Sequence, residues 1–168
     1  MKKEELLEAA LRVYLRNPNA TVHEVAEEAG VSKSTIFYYF KNKNGLEKEL
    51  LLYAIEKFSP WKASSLEEAI KRRFQIMKEY PGLAKMFYTL LDNLSKNDPK
   101  FVEEIRQRSF SRIAKILEKE GFKDCYDLAI FLLASLDGIA LYSIYMELDF
   151  SKFERMILEA LRRLKDEI

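Results

Sequence analysis

Apolar residues return at helical intervals along almost the whole chain. No stretch alternates for long with the period of two that a half-buried strand requires. Leu6, Leu7, Ala10 and Tyr14 share one face of a first helix, which the turn-forming run Asn17-Pro18-Asn19 stops. Thr21 and Glu24 stand at capping-box spacing, and Val22, Val25, Ala26 and Ala29 supply the buried face of a second helix that Gly30 ends. Ser32 caps a third helix from Lys33 to about Phe40. After Asn42 a fourth helix carries Leu46, Leu50, Tyr53, Ala54 and Lys57. The stretch FSPWKASS, residues 58–65, is the clearest boundary in the chain.

The same punctuation divides the remainder. Ser65 and Glu68 repeat the capping-box spacing and open a helix that runs to Tyr80, where Pro81-Gly82 breaks it. Another runs from about Leu83 to Leu94. Asp98 followed by Pro99 is a cap and a first-turn proline, and predicts a helix to about Lys119, ended by Gly121. An apolar helix follows from near Asp124 to Glu147. Ser151 and Glu154 form a third capping-box pattern before a last helix lined by Phe153, Met156, Ile157, Ala160, Leu161 and Leu164. The expectation is an all-α fold of about nine helices.

Composition narrows the function classes. At 168 residues, 48% apolar and 33% charged, the chain can bury a real core. The net charge of +1 carries no global signal for a polyanionic partner, so any such signal must be local. The single cysteine, Cys125, excludes an intrachain disulfide and a cysteine-rich metal site, and reads as a small packed hydrophobe. Glu4, Glu5, Glu8 and Arg12 interrupt the apolar residues of the first helix, so no export signal is expected. The weakly charged run from Leu128 to Met146 holds Asp137 at its centre and reads as a buried helix of a soluble, cytoplasmic protein, with no membrane partner. His23 is the one histidine. No nucleophile, base and orienter come together, no glycine-rich phosphate loop is present and no metal-ligand spacing recurs. The expectation is a protein that is not an enzyme, with no cofactor, no metal and no catalytic residue.

The local signal lies in AGVSKSTIFYYFKNKNGLEKEL, residues 29–50. Two short helices joined by the turn AGVS have the outline of a helix-turn-helix, with Val31 tucked into a small core. On the second of them Ile36 and Phe40 stand four apart and face inward. Lys33, Ser34, Thr35, Phe37, Tyr38 and Tyr39 face out. Lysine and tyrosine hydroxyl can hold phosphate oxygens, while threonine and an aromatic edge can meet base edges in a major groove. The free backbone donors at the start of the second helix favour a phosphate there. Residues 1–50 hold equal numbers of basic and acidic side chains, so affinity is expected to rest on a narrow basic stripe with a modest salt dependence.

The string TVHEVAEEAGVSKSTIFYYFKNKNGLEKEL resembles the DNA-binding domain of the tetracycline-repressor (TetR) family of transcriptional regulators, over roughly residues 3–50. Its most specific part is GVSKSTIFYYFKNKNGL. The resemblance implies that Thr21 holds a phosphate, that Lys33, Ser34, Thr35 and Phe37 lie toward base edges, that Tyr38 and Tyr39 contact backbone or flanking bases, and that Lys43 fixes a phosphate. Position 37 is Phe where the family often has Tyr, and position 39 is Tyr where it often has His. The resemblance further implies residues 1–46 as a helix-turn-helix domain and residues 47–168 as a helical regulatory and dimerisation domain. The protein would be a repressor, bound as a homodimer to a double-stranded pseudo-palindromic operator and released by a small effector. A second reading keeps the reading helix but gives the protein a main role in protein binding, with no inducing ligand.

Dimerisation also has a physical reading. The helix 128–146 is apolar nearly all round, so one stripe can fill its own core while another needs a partner; the last helix supplies a similar face. A small apolar or amphipathic effector would find Phe74, Met77, Phe87, Tyr88, Phe110, Phe131 and Tyr142, with Asp137 as a polar element among them. The alternative is that these rings are solid core and that Asp137 is paired with a tyrosine hydroxyl or an arginine.

Overall fold

Lys3–Arg16 (α1), Val22–Ala29 (α2), Lys33–Phe40 (α3) and Lys43–Lys57 (α4) follow the apolar spacing of the N-terminal sequence. After a short 3-10 turn at Pro60–Lys62 come Leu66–Glu79 (α5), Leu83–Asn97 (α6), Pro99–Lys119 (α7), Cys125–Tyr142 (α8) and Phe150–Asp166 (α9). This computed structural model describes residues 2–166, and among them the regular structure is helical throughout, with no strand.

The chain divides into two packed units. The first comprises residues 1–58 and 82–102, that is α1–α4, α6 and the opening of α7. Its core is built from Leu6, Ala10 and Tyr14 of α1, Val25 of α2, Ile36 of α3, Leu46, Leu50 and Leu51 of α4, and Met86 and Leu90 of α6, all essentially without exposed surface. Fully burying each of the leucines and isoleucines contributes about 1.5–3 kcal/mol, so this core fixes how α2 and α3 are presented.

The second unit comprises residues 59–81 and 103–168: the 3-10 turn, α5, most of α7, α8 and α9. Ile70 and Phe74 of α5, Ile113 and Leu117 of α7, and Ala129 and Leu136 of α8 lie at its centre. Phe74 meets Phe150 with ring centroids 6.0 Å apart, tying α5 to α9.

Three local readings need correction. Ser65 accepts from the Glu68 amide at 3.1 Å, but the Glu68 carboxylate returns to the amide and hydroxyl of Ser64. The last helix starts before Ser151: Asp149 accepts from the Lys152 amide at 3.1 Å, so aspartate supplies the cap and the Ser151–Glu154 pattern is not used. Finally, α8 is not a buried helix. It is long and apolar enough to cross a membrane, yet 28% of it is buried within the chain. Phe131 is 68% exposed, and Ile130, Tyr142 and Tyr145 stand exposed with it.

Candidate nucleic-acid interface

The helix pair α2–α3 is held by its caps. Thr21 accepts from the Glu24 amide, and the Glu24 carboxylate accepts from the Thr21 amide at 2.7 Å and the Thr21 hydroxyl at 2.9 Å. That backbone hydrogen bond, with the hydroxyl bond beside it, holds the Glu24 carboxyl below its ordinary value. Thr21 stands exposed at the head of α2, but its hydroxyl is already committed to Glu24, so a phosphate there must compete for it. Gly30 takes the left-handed conformation (φ +66°), and its amide reaches back to Ala26 and Glu27. The Val31 amide then bonds the Ala26 carbonyl at 3.0 Å, which closes the turn.

Ser32 opens α3 by accepting from the Thr35 amide at 3.3 Å. The same hydroxyl lies 2.7 Å from that of Ser34 and 3.0 Å from that of Thr35. Ser34 and Thr35 therefore form a small hydroxyl cluster at the head of α3, where Lys33 and Ser34 are exposed and Thr35 half-buried. Ile36 and Phe40 are buried and anchor the helix to its own unit. Phe37 is exposed, and Tyr38 is 82% exposed. Tyr39 is half-buried; its ring packs edge-on to Tyr38 at 5.2 Å and lies 6.4 Å from Phe40. The outward set thus runs from Lys33 to Tyr38, with Tyr39 at its margin.

A tight junction follows. Lys41 adopts φ +68° and returns its amide to the Phe37 carbonyl at 2.8 Å. Asn42 caps α4 by accepting from the Gly45 amide at 2.8 Å. Lys43, the first residue of α4, projects to the surface and lies 3.6 Å from the Glu47 carboxylate. On the opposite flank, Glu28 of α2 receives Arg12 at 2.8 Å and Arg16 at 2.6 Å from α1. Arg12 first, and then Arg16, hold its carboxyl below the ordinary range.

Two residues in this head escaped sequence reasoning. Glu47 is 3% exposed, and Gly45 is where α4 meets the Phe40 carbonyl. The signal for Glu47 was present: positions 46, 47, 50, 51 and 54 fall on one helical face, so a carboxylate occupies an otherwise apolar slot.

The residues proposed for an effector are spread more widely. Phe87 and Tyr88 belong to the first unit; Phe74, Met77, Phe110, Phe131, Asp137 and Tyr142 belong to the second. Phe74 and Met77 are core residues, Phe110 stacks edge-on to Tyr126 at 6.0 Å, and Tyr88, Phe131 and Tyr142 are exposed. Asp137 pairs with Arg73 of α5, the arginine option that the sequence left open. Loss of surrounding water raises its carboxyl above the ordinary aspartate range, against the pull of Arg73. The Arg73 Nε is buried without a hydrogen-bond partner.

Comparison with known proteins bears on the same residues. The family model for bacterial regulatory proteins of the tetR family matches residues 6–50. The HTH-type transcriptional regulator BetI of Serratia proteamaculans (strain 568) is 31% identical over 88 residues, covering 51% of this chain and 40% of that protein. The chain spans less than half the length of the curated relatives it matches. Among solved structures, the fatty acid degradation regulator FadR from Bacillus halodurans superposes with a TM-score of 0.76 at 19% identity, covering 96% of each chain. The multidrug binding protein EbrR complexed with imidazole gives 0.70 at 19% identity, over 95% of this chain and 88% of that one. At these identities the structural likeness shows a shared fold.

Proposed function

We infer that the chain, whose residues 6–50 match the family model for bacterial regulatory proteins of the tetR family, is a cytoplasmic transcriptional repressor that binds a pseudo-palindromic operator as a homodimer. Residues 1–46 act as the DNA-reading head and residues 47–168 as the regulatory and dimerising region. The observation that carries the reading is α3: its inner residues Ile36 and Phe40 are locked in the core, while lysine, hydroxyls and rings occupy the outer face. Lys33, Ser34, Thr35 and Phe37 meet base edges, and Tyr38, Tyr39, Thr21 and Lys43 hold the backbone.

Pairing is supported by the faces that one chain leaves open. Ile130, Phe131 and Tyr142 of α8 and Met156 and Leu164 of α9 are exposed apolar residues on the two C-terminal helices. Two copies joined there would present two α3 helices to one duplex, about 34 Å apart for adjacent turns of the groove. A small apolar or amphipathic effector that prefers a dimer of different α3 spacing lowers operator affinity by that preference.

Selection of bound fragments from genomic DNA, followed by footprinting, tests this reading. The expected result is a two-fold related site protected over two half-sites. Recovery of no sequence, or of an asymmetric single half-site, would overturn it. A small-molecule panel scored for both thermal stabilisation and operator release tests the effector.

A further inference from the structure

Glu47 is, among the described residues, the charged side chain withdrawn into the core, at 3% exposure. Its Oε1 accepts from the Tyr14 hydroxyl of α1 at 3.2 Å, and Lys43 Nζ lies 3.6 Å away, one helical turn back. Burial and the neighbouring carboxylate together push the Tyr14 hydroxyl's pKa far upward, so Tyr14 acts as a permanent donor. The carboxylate is thus fixed from below by α1, while the Lys43 side chain above it remains 44% exposed.

This arrangement is poorly explained by stability. A buried ion pair can often be replaced by apolar side chains of similar volume without loss. A lysine in the first turn also opposes the helix dipole, and lysine preceding glutamate by four residues is the weaker order of such a pair. The first turns of α1, α2 and α5 carry glutamates, whereas that of α4 carries none. The first turns of α3 and α7 likewise hold a lysine and no acid, but at the start of α4 the lysine has a carboxylate partner that lies inside.

We propose that Glu47 is a positioning residue: held by Tyr14, it tethers the Lys43 ammonium by charge at the mouth of α4 so that its N–H donors face a DNA phosphate. The proposal rests on the reading that Lys43 grips the operator backbone. A lysine ordered beforehand loses less freedom on binding than a free one, so the tether acts on affinity. It leaves the charge of Lys43, and therefore the counterion release, unchanged.

The test is a double-mutant cycle on the full chain, with the selected operator duplex titrated by fluorescence anisotropy at several salt concentrations. Lys43→Met is expected to weaken binding and to reduce the log–log salt slope by about 0.9. Glu47→Gln is expected to weaken binding by about threefold to tenfold, the loss for ordering one long side chain on binding, at unchanged slope. In the Lys43→Met background, Glu47→Gln should have no further effect. If it weakens binding equally in both backgrounds, or leaves binding unchanged or tighter with Lys43 present, the positioning role is wrong while Lys43 keeps its phosphate. If Lys43→Met changes neither affinity nor slope, the phosphate assignment itself is wrong and the tether falls with it. Should Glu47→Gln fail to fold, the apolar pair Glu47→Met with Tyr14→Phe removes the tether without stranding a polar group, and the same loss is expected from it.

Discussion

Gly45→Ala sets two physical arguments against each other. Gly45 lies in the first turn of α4, where helix propensity alone favours alanine by up to about 1 kcal/mol. The packing argues the other way. A Cβ at this position would lie 2.0 Å from the Phe40 carbonyl oxygen and 3.2 Å from its carbon. An unstrained carbon–oxygen contact is about 3.3 Å, so the overlap exceeds an ångström. The atom met is backbone and has no rotamer to escape into. The end of α3 must move, and with it the Phe40 ring, which is buried beneath the reading face.

Overpacking of this kind costs about 1–3 kcal/mol, and more where the neighbours are rigid. After the propensity gain is subtracted, the expected net loss is about 2 kcal/mol, or a fall in melting temperature of about 4–8 °C for a chain of this size. Urea unfolding followed by circular dichroism measures it. Because the strain is relieved by moving α3, operator affinity should fall as well under conditions where the variant is fully folded. An unfolding midpoint equal to or above that of the parent protein would refute the reasoning, since propensity would then have outweighed the contact.

Tyr38→Ala should leave stability within about 0.5 kcal/mol, because the ring is exposed, yet weaken operator binding by about 1–3 kcal/mol in an anisotropy titration. Phe131→Glu combined with Met156→Glu changes two exposed side chains, so the single chain should still fold, but sedimentation should show dimer dissociation raised by at least about a hundredfold. The pH response of Glu28 has a definite sign. Arg12 and Arg16 depress its folded pKa, so its stabilisation is present above the unfolded value and is lost as pH falls through the depressed one. Glu28→Gln should therefore flatten the acid limb of a stability–pH profile below about pH 4.5, whereas an unchanged limb would show that the bridges are screened out in solution. Asp137→Asn should leave operator affinity intact, since its partner Arg73 and its helix belong to the second unit.

Much of this architecture could be read from residue order because its determinants are local. Thr21 with Glu24, Gly30, Ser32 and the Asp98-Pro99 start each act within one turn of their own helix, so spacing alone identifies them. The outward set on α3 followed from placing Ile36 and Phe40 inside. What escaped depends on contacts made across the chain. Glu47 needs Tyr14, thirty-three positions away, before a carboxylate in an apolar slot makes sense. Gly45 is required by a carbonyl from the preceding helix, and Lys41 takes a positive φ that its residue type does not advertise. The Asp149 cap was missed because serine and aspartate compete for the same role within two residues, and only the chain's path decides between them.

The apolar length of α8 shows how a sequence signal can be correct while its simplest interpretation fails. An apolar helix of eighteen residues could fill a core, cross a membrane or serve two different surfaces. Its low burial within the chain removes the first option. The second would place the paired Asp137 in hydrocarbon, at a cost of roughly 2.5–3.5 kcal/mol near the bilayer centre. It would also leave the neighbouring α9 unexplained. Met156, Ala160 and Leu164 of that helix recur every four residues along an open face, flanked by Arg155, Glu159 and Arg163. A narrow apolar stripe edged by charges fits a surface that is itself apolar at its centre and wet at its rim. A second copy of the same two helices has that character by construction, which is why the exposed rings of α8 and the stripe of α9 are better explained together than apart.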